Sequence, residues 1–345
     1  MTAVSALQCV EKGLLGLDDP IDTVLPEFRD PRILTGFDEA EKPILKPASK
    51  LPTLRHLLTH SSGIGYSGMD PLLVKWWAQQ GNQPDMVNTS IKYSYTFPLI
   101  FEPGQGWSYG AGLDWAGQMV ERVNDGIRLG EYMKKNIWDE LGMKSTTFRP
   151  TLDPEIMKRA CAKPWRNAET GILEPDQTGI FPIEHEPTDD YGGNGSYTSA
   201  EDYIQVLKSL LTNDGTLLKP ETRDLLLKPS LGSEAKAMLR EQYSGPFGPF
   251  LTYGFPNPGE DGIEYEYALG GSVIVNEEGM KGRADKGMIS WGGFPNSYWF
   301  IDDKRGVAGV YAAHVYPPGD KPTQNLFKLW HMGVYELAGK PENIK

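Results

Sequence analysis

The sequence predicts an α+β protein: an antiparallel sheet flanked by helices, with a helical lobe beside it. Three observations carry this. The middle third of the 345 residues places apolar side chains at helical spacing. The last third breaks into short runs rich in β-branched and aromatic residues, at 272–275, 286–291, 297–301 and 307–314, separated by turn signals such as Asp302-Asp303 and Gly306. The closing stretch, 323–337, is an amphipathic helix with Leu326, Leu329, Trp330 and Val334 expected on the side that covers a sheet face.

In chain order, residues 2–12 read as a helix with Ala3, Ala6, Leu7 and Val10 on one face and Gly13 placed for a left-handed C-cap. It begins abruptly, so we expect a domain whose first part lies upstream. After the short apolar run 21–25, a polar, proline-containing loop is expected through Leu51. Thr53 then caps a helix over 54–59 that ends at Ser61-Ser62-Gly63. His56 and His60 have the four-residue spacing of zinc ligands. With no intervening Glu and no third ligand in reach, they read as structural histidines bonding loop backbone, and no metal is expected. Residues 71–81 form a short helix carrying Leu72, Leu73, Trp76 and Trp77, followed by a polar loop to Thr96.

Residues 101–116 pack Pro103-Gly104 and Gly106 against Trp107 and Tyr109. They pass through Gly110-Ala111-Gly112 into a helix running to about residue 124. Tyr109 is either a half-buried aromatic tethered by its hydroxyl or a phenol held out to meet a substrate. A further helix spans 129–141, and 153–190 reads as an irregular connection. Gly192-Gly193-Asn194-Gly195-Ser196 then leads to Thr198, the expected N-cap of a helix bearing Tyr203, Ile204, Leu207 and Leu210. This is not the nucleotide-binding fingerprint, so the glycines read as close packing beside a site.

Composition excludes several classes. A net charge of -12 disfavours a phosphate-binding surface, so nucleic acid is not an expected partner. No apolar run approaches the ~18 residues that span a bilayer. Two cysteines, Cys9 and Cys161, give no disulfide framework and fit a reducing compartment. The amino terminus has no basic leader, and a cytoplasmic protein is expected. Oligomeric state is not readable.

Four stretches together resemble one family. They are Ala6-Leu7-Gln8 through Leu17-Asp18-Asp19-Pro20, the run Leu54-Arg55-His56-Leu57-Leu58-Thr59-His60-Ser61-Ser62-Gly63, Phe101 to Tyr109, and Gly192 to Asp202. This looks like the penicillin-recognising serine enzymes, and within them the class C β-lactamase-like esterases and transesterases, nearest to fungal polyketide acyltransferases. The resemblance implies a β-lactamase-like domain over 1–345, with a helical lobe at about 50–215 and a sheet lobe from about 1–50 and 216–345. It implies a cleft between the lobes and serine-type acyl transfer on a small-molecule ester or thioester, with no cofactor. An acyl carrier protein is a candidate partner.

By the same resemblance Tyr109 is the catalytic tyrosine that shares proton traffic with a lysine. Trp291-Gly292-Gly293-Phe294 matches the strand beside the nucleophile, with the Phe294 amide as an oxyanion donor and the glycines admitting substrate. Two departures stand out. Ala111 replaces an asparagine frequent in the family, and the Ser-x-x-Lys that supplies the nucleophile is expected upstream of Met1. The one literal match, Ser233-Glu234-Ala235-Lys236, reads as an ordinary helix start. The 345-residue chain is therefore expected to show no serine acylation. The alternatives are a catalytically silent ligand-binding homologue, or a cleft recruited for isomerisation or cyclisation with Tyr109 as acid or base.

Overall fold

The computed structural model describes residues 1–81, 90–179, 183, 187–252 and 254–339. The chain opens in α1 (Thr2–Glu11), and Gly13 follows at φ +69°. Thr2 and every residue from Val4 to Cys9 are buried, so α1 is enclosed on all sides and not by the single face its apolar spacing predicts. It packs on the later helices α5 (Gly112–Arg122) and α6 (Leu129–Met133).

The expected loop before Leu51 contains a hairpin, β1 (Arg32–Phe37) with β2 (Pro43–Pro47). Proline at both ends of β2 and its largely exposed side chains remove the alternation that signals a strand. Then come α2 (Leu54–Leu58), capped by Thr53 as expected, and α3 (Pro71–Gln79), capped by Asp70. The polar stretch after α3 lies partly outside the described residues, and its described end forms α4 (Ile91–Tyr95). The helix expected over 129–141 is α6 followed by one turn of π-helix, Lys134–Trp138.

The connection expected to be irregular holds α7 (Pro154–Met157) and an antiparallel pair, β3 (Pro164–Arg166) with β4 (Leu173–Pro175). Its residues 180–182 and 184–186 lie outside the described set. The next helix, α8 (Ala200–Thr212), is capped by Ser199 and not by Thr198: the Ser199 hydroxyl accepts the Asp202 N–H, while the Thr198 hydroxyl bonds that of Thr146 at 2.8 Å. Three more helices follow, α9 (Pro220–Leu227), α10 (Ser233–Ser244) and α11 (Gly248–Leu251).

The principal sheet is β5 (Tyr265–Tyr267), β6 (Ser272–Ile274), β7 (Ile289–Gly293), β8 (Ser297–Asp302) and β9 (Val307–Tyr311). The strands lie in that order and every neighbouring pair is antiparallel. Four of them fall on the predicted runs, and β5 is an additional edge strand.

Alternation on β8 shows how the sheet is covered. Trp299 meets Tyr203 of α8 at 6.5 Å between ring centroids, while Tyr298 and Phe300 point the other way. They meet Phe327 at 4.7 Å and His331 at 4.5 Å on the final helix, α12 (Lys321–Ala338). The buried stripe of α12 is thus Phe327, His331 and Tyr335, with Trp330 and Val334 beside it. Leu326 and Leu329, expected on this face, are 59 % and 66 % exposed. The i, i+4 aromatics meet the sheet's own aromatics, and the leucines turn to the outside.

Two buried clusters result. One joins the helices to the inner sheet face, and the other lies between the sheet, α10, α11 and α12. Tyr109 packs against both.

Candidate active site

The segment before α5 folds onto the segment after α2, and the reason is steric. A Cβ on Gly110 would lie 2.0 Å from the Ile64 carbonyl oxygen, and one on Gly112 would lie 2.3 Å from that of Leu57. Only glycine permits so close an approach of two backbones. Hydrogen bonds tie the same segments: Gly104 N–H donates to the Ser61 carbonyl at 2.8 Å, and Ser108 N–H to that of His60 at 3.0 Å. Trp107 is fully buried behind this interlock, and Tyr109 is half-buried at its edge.

Tyr109 is walled by rings. Its centroid lies 5.0 Å from His60, 5.3 Å from Tyr66, 5.6 Å from Trp291 and 6.4 Å from Phe250. Tyr267 closes the box, 5.1 Å from Trp291 and 5.4 Å from His60. Two of the sequence-predicted residues, Tyr109 and Trp291, are therefore in direct contact. Phe294 stands one ring further on, 6.4 Å from Phe250. It follows Gly292 and Gly293 at the end of β7, in a turn closed by Asn296 N–H donating to the Gly293 carbonyl at 3.0 Å. Asn296 is 1 % exposed and anchors that turn, its amide donating to the Val315 and Pro317 carbonyls at 2.7 Å each.

The histidines act as the sequence reading expects. His56 Nδ1 accepts the Thr53 N–H at 3.2 Å and His60 Nδ1 accepts the Gly110 N–H at 3.3 Å. Among the described residues no group of three His, Cys, Asp or Glu could hold a metal ion. The literal Ser-x-x-Lys match is exposed on α10: the Ser233 hydroxyl donates to Glu234, and the Lys236 ammonium pairs with Glu266 at 2.6 Å. That lysine is engaged elsewhere and does not serve Ser233 as a base.

Sequence reasoning missed Tyr66, Phe250, Tyr267 and Asp114. The last carried a signal, being a charge amid the apolar residues of the helix after Tyr109. Asp114 is fully buried, accepting the Gly193 N–H at 2.8 Å and the Tyr66 hydroxyl at 3.3 Å. The glycine-rich stretch thus packs beside the site: a Cβ on Gly193 would lie 2.9 Å from the Asp114 carboxylate. Burial raises the Asp114 carboxyl to about 7, against the lowering effect of its two hydrogen bonds.

This has a measurable sign. The folded state holds the Asp114 proton more tightly than the unfolded chain does (about 3.9). Its stabilising effect is therefore complete below pH ~4 and lost as pH rises through about 7. Asn at 114 keeps an acceptor for Gly193 and a donor for Tyr66 without a charge. Urea unfolding from pH 5 to 8 should show Asp114→Asn gaining on the wild type by a few kcal/mol, on the order of the linkage for such a shift. Parallel pH curves for the two proteins would contradict this.

Comparison with known proteins shows the family and the fold. The sequence profile described as Beta-lactamase matches residues 1–329, and the chain belongs to the Beta-lactamase family. Lovastatin esterase of Penicillium rubens is 38 % identical over 321 residues, covering 93 % of this chain and 78 % of that protein. Monacolin J acid methylbutanoyltransferase of Aspergillus terreus is 33 % identical over 335 residues, covering 97 % and 79 %. A mutant simvastatin synthase from Aspergillus terreus superposes with a TM-score of 0.88 at 32 % identity, covering 98 % of this chain and 80 % of that one. The resemblance read from the sequence, and the β-lactamase-like fold it implies, are borne out. Relatives of this chain are esterases and acyltransferases. Among the described residues no helix is long and apolar enough to cross a membrane.

Proposed function

We propose that the cleft transfers an acyl group from a small-molecule ester or thioester to water or an alcohol, through an acyl-serine, as an esterase or acyltransferase of secondary metabolism. The observation that carries this is Tyr109, a phenol at the seam of both cores, at the position of the family's proton-relay tyrosine. The aromatic wall around it suits an apolar acyl chain or polyketide body. The relatives' names, an esterase and a methylbutanoyltransferase, support a short aliphatic acyl group.

In this reading Tyr109 takes the proton released as the serine attacks and returns it to the leaving group. The Phe294 amide, beside Trp291, is one of two oxyanion donors, a contact worth about 3 kcal/mol of barrier. Gly292 and Gly293 admit the substrate to the strand edge. At Gly293 an added Cβ would meet only Pro295, at 3.4 Å, so the protein itself does not require glycine there, unlike at Gly110. The donor is a free ester, a free thioester, or a thioester on an acyl carrier protein. The cleft is the groove between a helical lobe at about 50–215 and the sheet lobe. A cytoplasmic location is supported by the free, exposed Cys161.

We assign the attacking serine to none of the 345 residues, because the sole Ser-x-x-Lys is an exposed helix start. Intact-mass measurement after treatment with a fluorophosphonate should show no stoichiometric adduct on the 345-residue chain. Protein expressed from its own gene should turn over p-nitrophenyl butyrate and an acyl thioester. An adduct on the 345-residue chain would overturn the serine assignment. No acyl turnover by the gene product would overturn the reaction class.

A further inference from the structure

We propose that His60 is the positioning residue of this site, gripping the backbone on both sides of Tyr109 and so fixing where its hydroxyl points. The proposal rests on the reading of Tyr109 as the proton relay. Two bonds make the grip: the His60 carbonyl accepts the Ser108 N–H at 3.0 Å, and its Nδ1 accepts the Gly110 N–H at 3.3 Å. Tyr109 lies between those two amides, and the imidazole packs against its ring edge-on at 5.0 Å and 62°.

Few side chains can do this. Residue 60 sits in the left-handed region at φ +56°, which non-glycine residues adopt rarely and Asn, Asp and His most readily. It must place an acceptor one bond beyond Cγ and also fill the space between Trp107, Tyr109, Tyr267 and Trp291. The acceptor exists only while Nδ1 is unprotonated, so the ring must be neutral with its proton on Nε2. Burial at 2 % exposure enforces that form, holding the imidazole down to about 3. Nε2 finds no acceptor among the described residues, so the grip on the Tyr109 backbone is the side chain's one polar task there.

Asn at 60 keeps the left-handed backbone and an acceptor near the Nδ1 position but loses the ring. Leu keeps the bulk and loses the acceptor. Hydrogen–deuterium exchange of the peptide covering Ser108 to Gly110 should accelerate at least about tenfold in His60→Leu and stay near wild type in His60→Asn.

In protein expressed from its own gene and assayed with p-nitrophenyl butyrate, His60→Leu should lower kcat about 10- to 100-fold with KM within about twofold. Misplacing a reacting group by about 1 Å has that effect. His60→Asn should recover kcat to within about threefold of wild type. In a Tyr109→Phe background His60→Leu should cost nothing further, since both changes remove one function. Should His60→Leu fail to fold, His60→Gly, which keeps the backbone and deletes the acceptor, replaces it.

Unchanged exchange in the acceptor-deleted variant would overturn the grip. Faster exchange with kcat losses that add to those of Tyr109→Phe, or with no recovery by Asn, would overturn the positioning role and leave the relay standing. Undiminished turnover in Tyr109→Phe would overturn the relay, and the positioning role with it, whatever exchange shows.

Discussion

Tyr109→Phe should lower the kcat for acyl transfer by about 10²- to 10⁴-fold, the range for losing a general acid–base group. KM should move by no more than about threefold, because in the proposed relay the deleted hydroxyl would act on the proton in flight and not on the bound ground state. The variant isolates the hydroxyl. Phe retains the ring that meets His60, Tyr66, Trp291 and Phe250, so unfolding free energies should agree within about 1 kcal/mol. Steady-state kinetics on the gene product, with a urea titration beside them, check both halves. A kcat loss below about tenfold would remove Tyr109 from the proton path.

Gly110→Ala should cost about 3 kcal/mol or more by overpacking and abolish turnover as well. The new Cβ would lie 2.0 Å from the Ile64 carbonyl oxygen and 2.7 Å from the Gly65 Cα. Both obstacles are backbone, with no flexible side chain to swing aside. The two segments must part by about 1.4 Å to bring that 2.0 Å approach to an ordinary contact, and Tyr109 moves with them. Gly13→Ala is the comparison. Nothing lies within 4 Å of a Cβ there, and its left-handed φ of +69° costs only about 1–2 kcal/mol. Denaturant midpoints should rank wild type, Gly13→Ala and Gly110→Ala in falling order. Equal midpoints for the two variants would show that the segments are not held together as the geometry requires.

The sequence exposed what is local. Thr53 as a cap, Gly13 beyond α1, and the short aromatic runs of β6 to β9 were readable because each signal is confined to a few neighbouring residues. The two most recognisable stretches, His60 to Gly63 and Trp107 to Gly112, turn out to be halves of one interlock. What stayed hidden depends on distant partners. Asp114 makes sense only against Gly193, 79 residues on. The phase of α12 is only half legible in the sequence, where leucine and aromatic stripes are equally apolar: Trp330 and Val334 do pack beside the core, and only the rings of β8 turn Leu326 and Leu329 outward. In the two hairpins β2 and β4 carry prolines and lie largely exposed, β3 is half-buried throughout, and β1 buries the neighbours Ile33 and Leu34 side by side, so burial wrote no alternation into them.

The aromatic box also makes the cleft its own optical probe. Tyr267 lies 5.6 Å from Trp107 and 5.1 Å from Trp291, and Tyr109 lies 5.6 Å from Trp291. Light absorbed by these phenols passes to the indoles at such separations. Trp107 is sealed from solvent, while Trp291 is 9 % exposed beside Tyr109. On the proposed reading a ligand beside Tyr109 would change the surroundings of Trp291 and leave the sealed Trp107 as it is, a change carried by one of the nine tryptophans of the unlabelled protein.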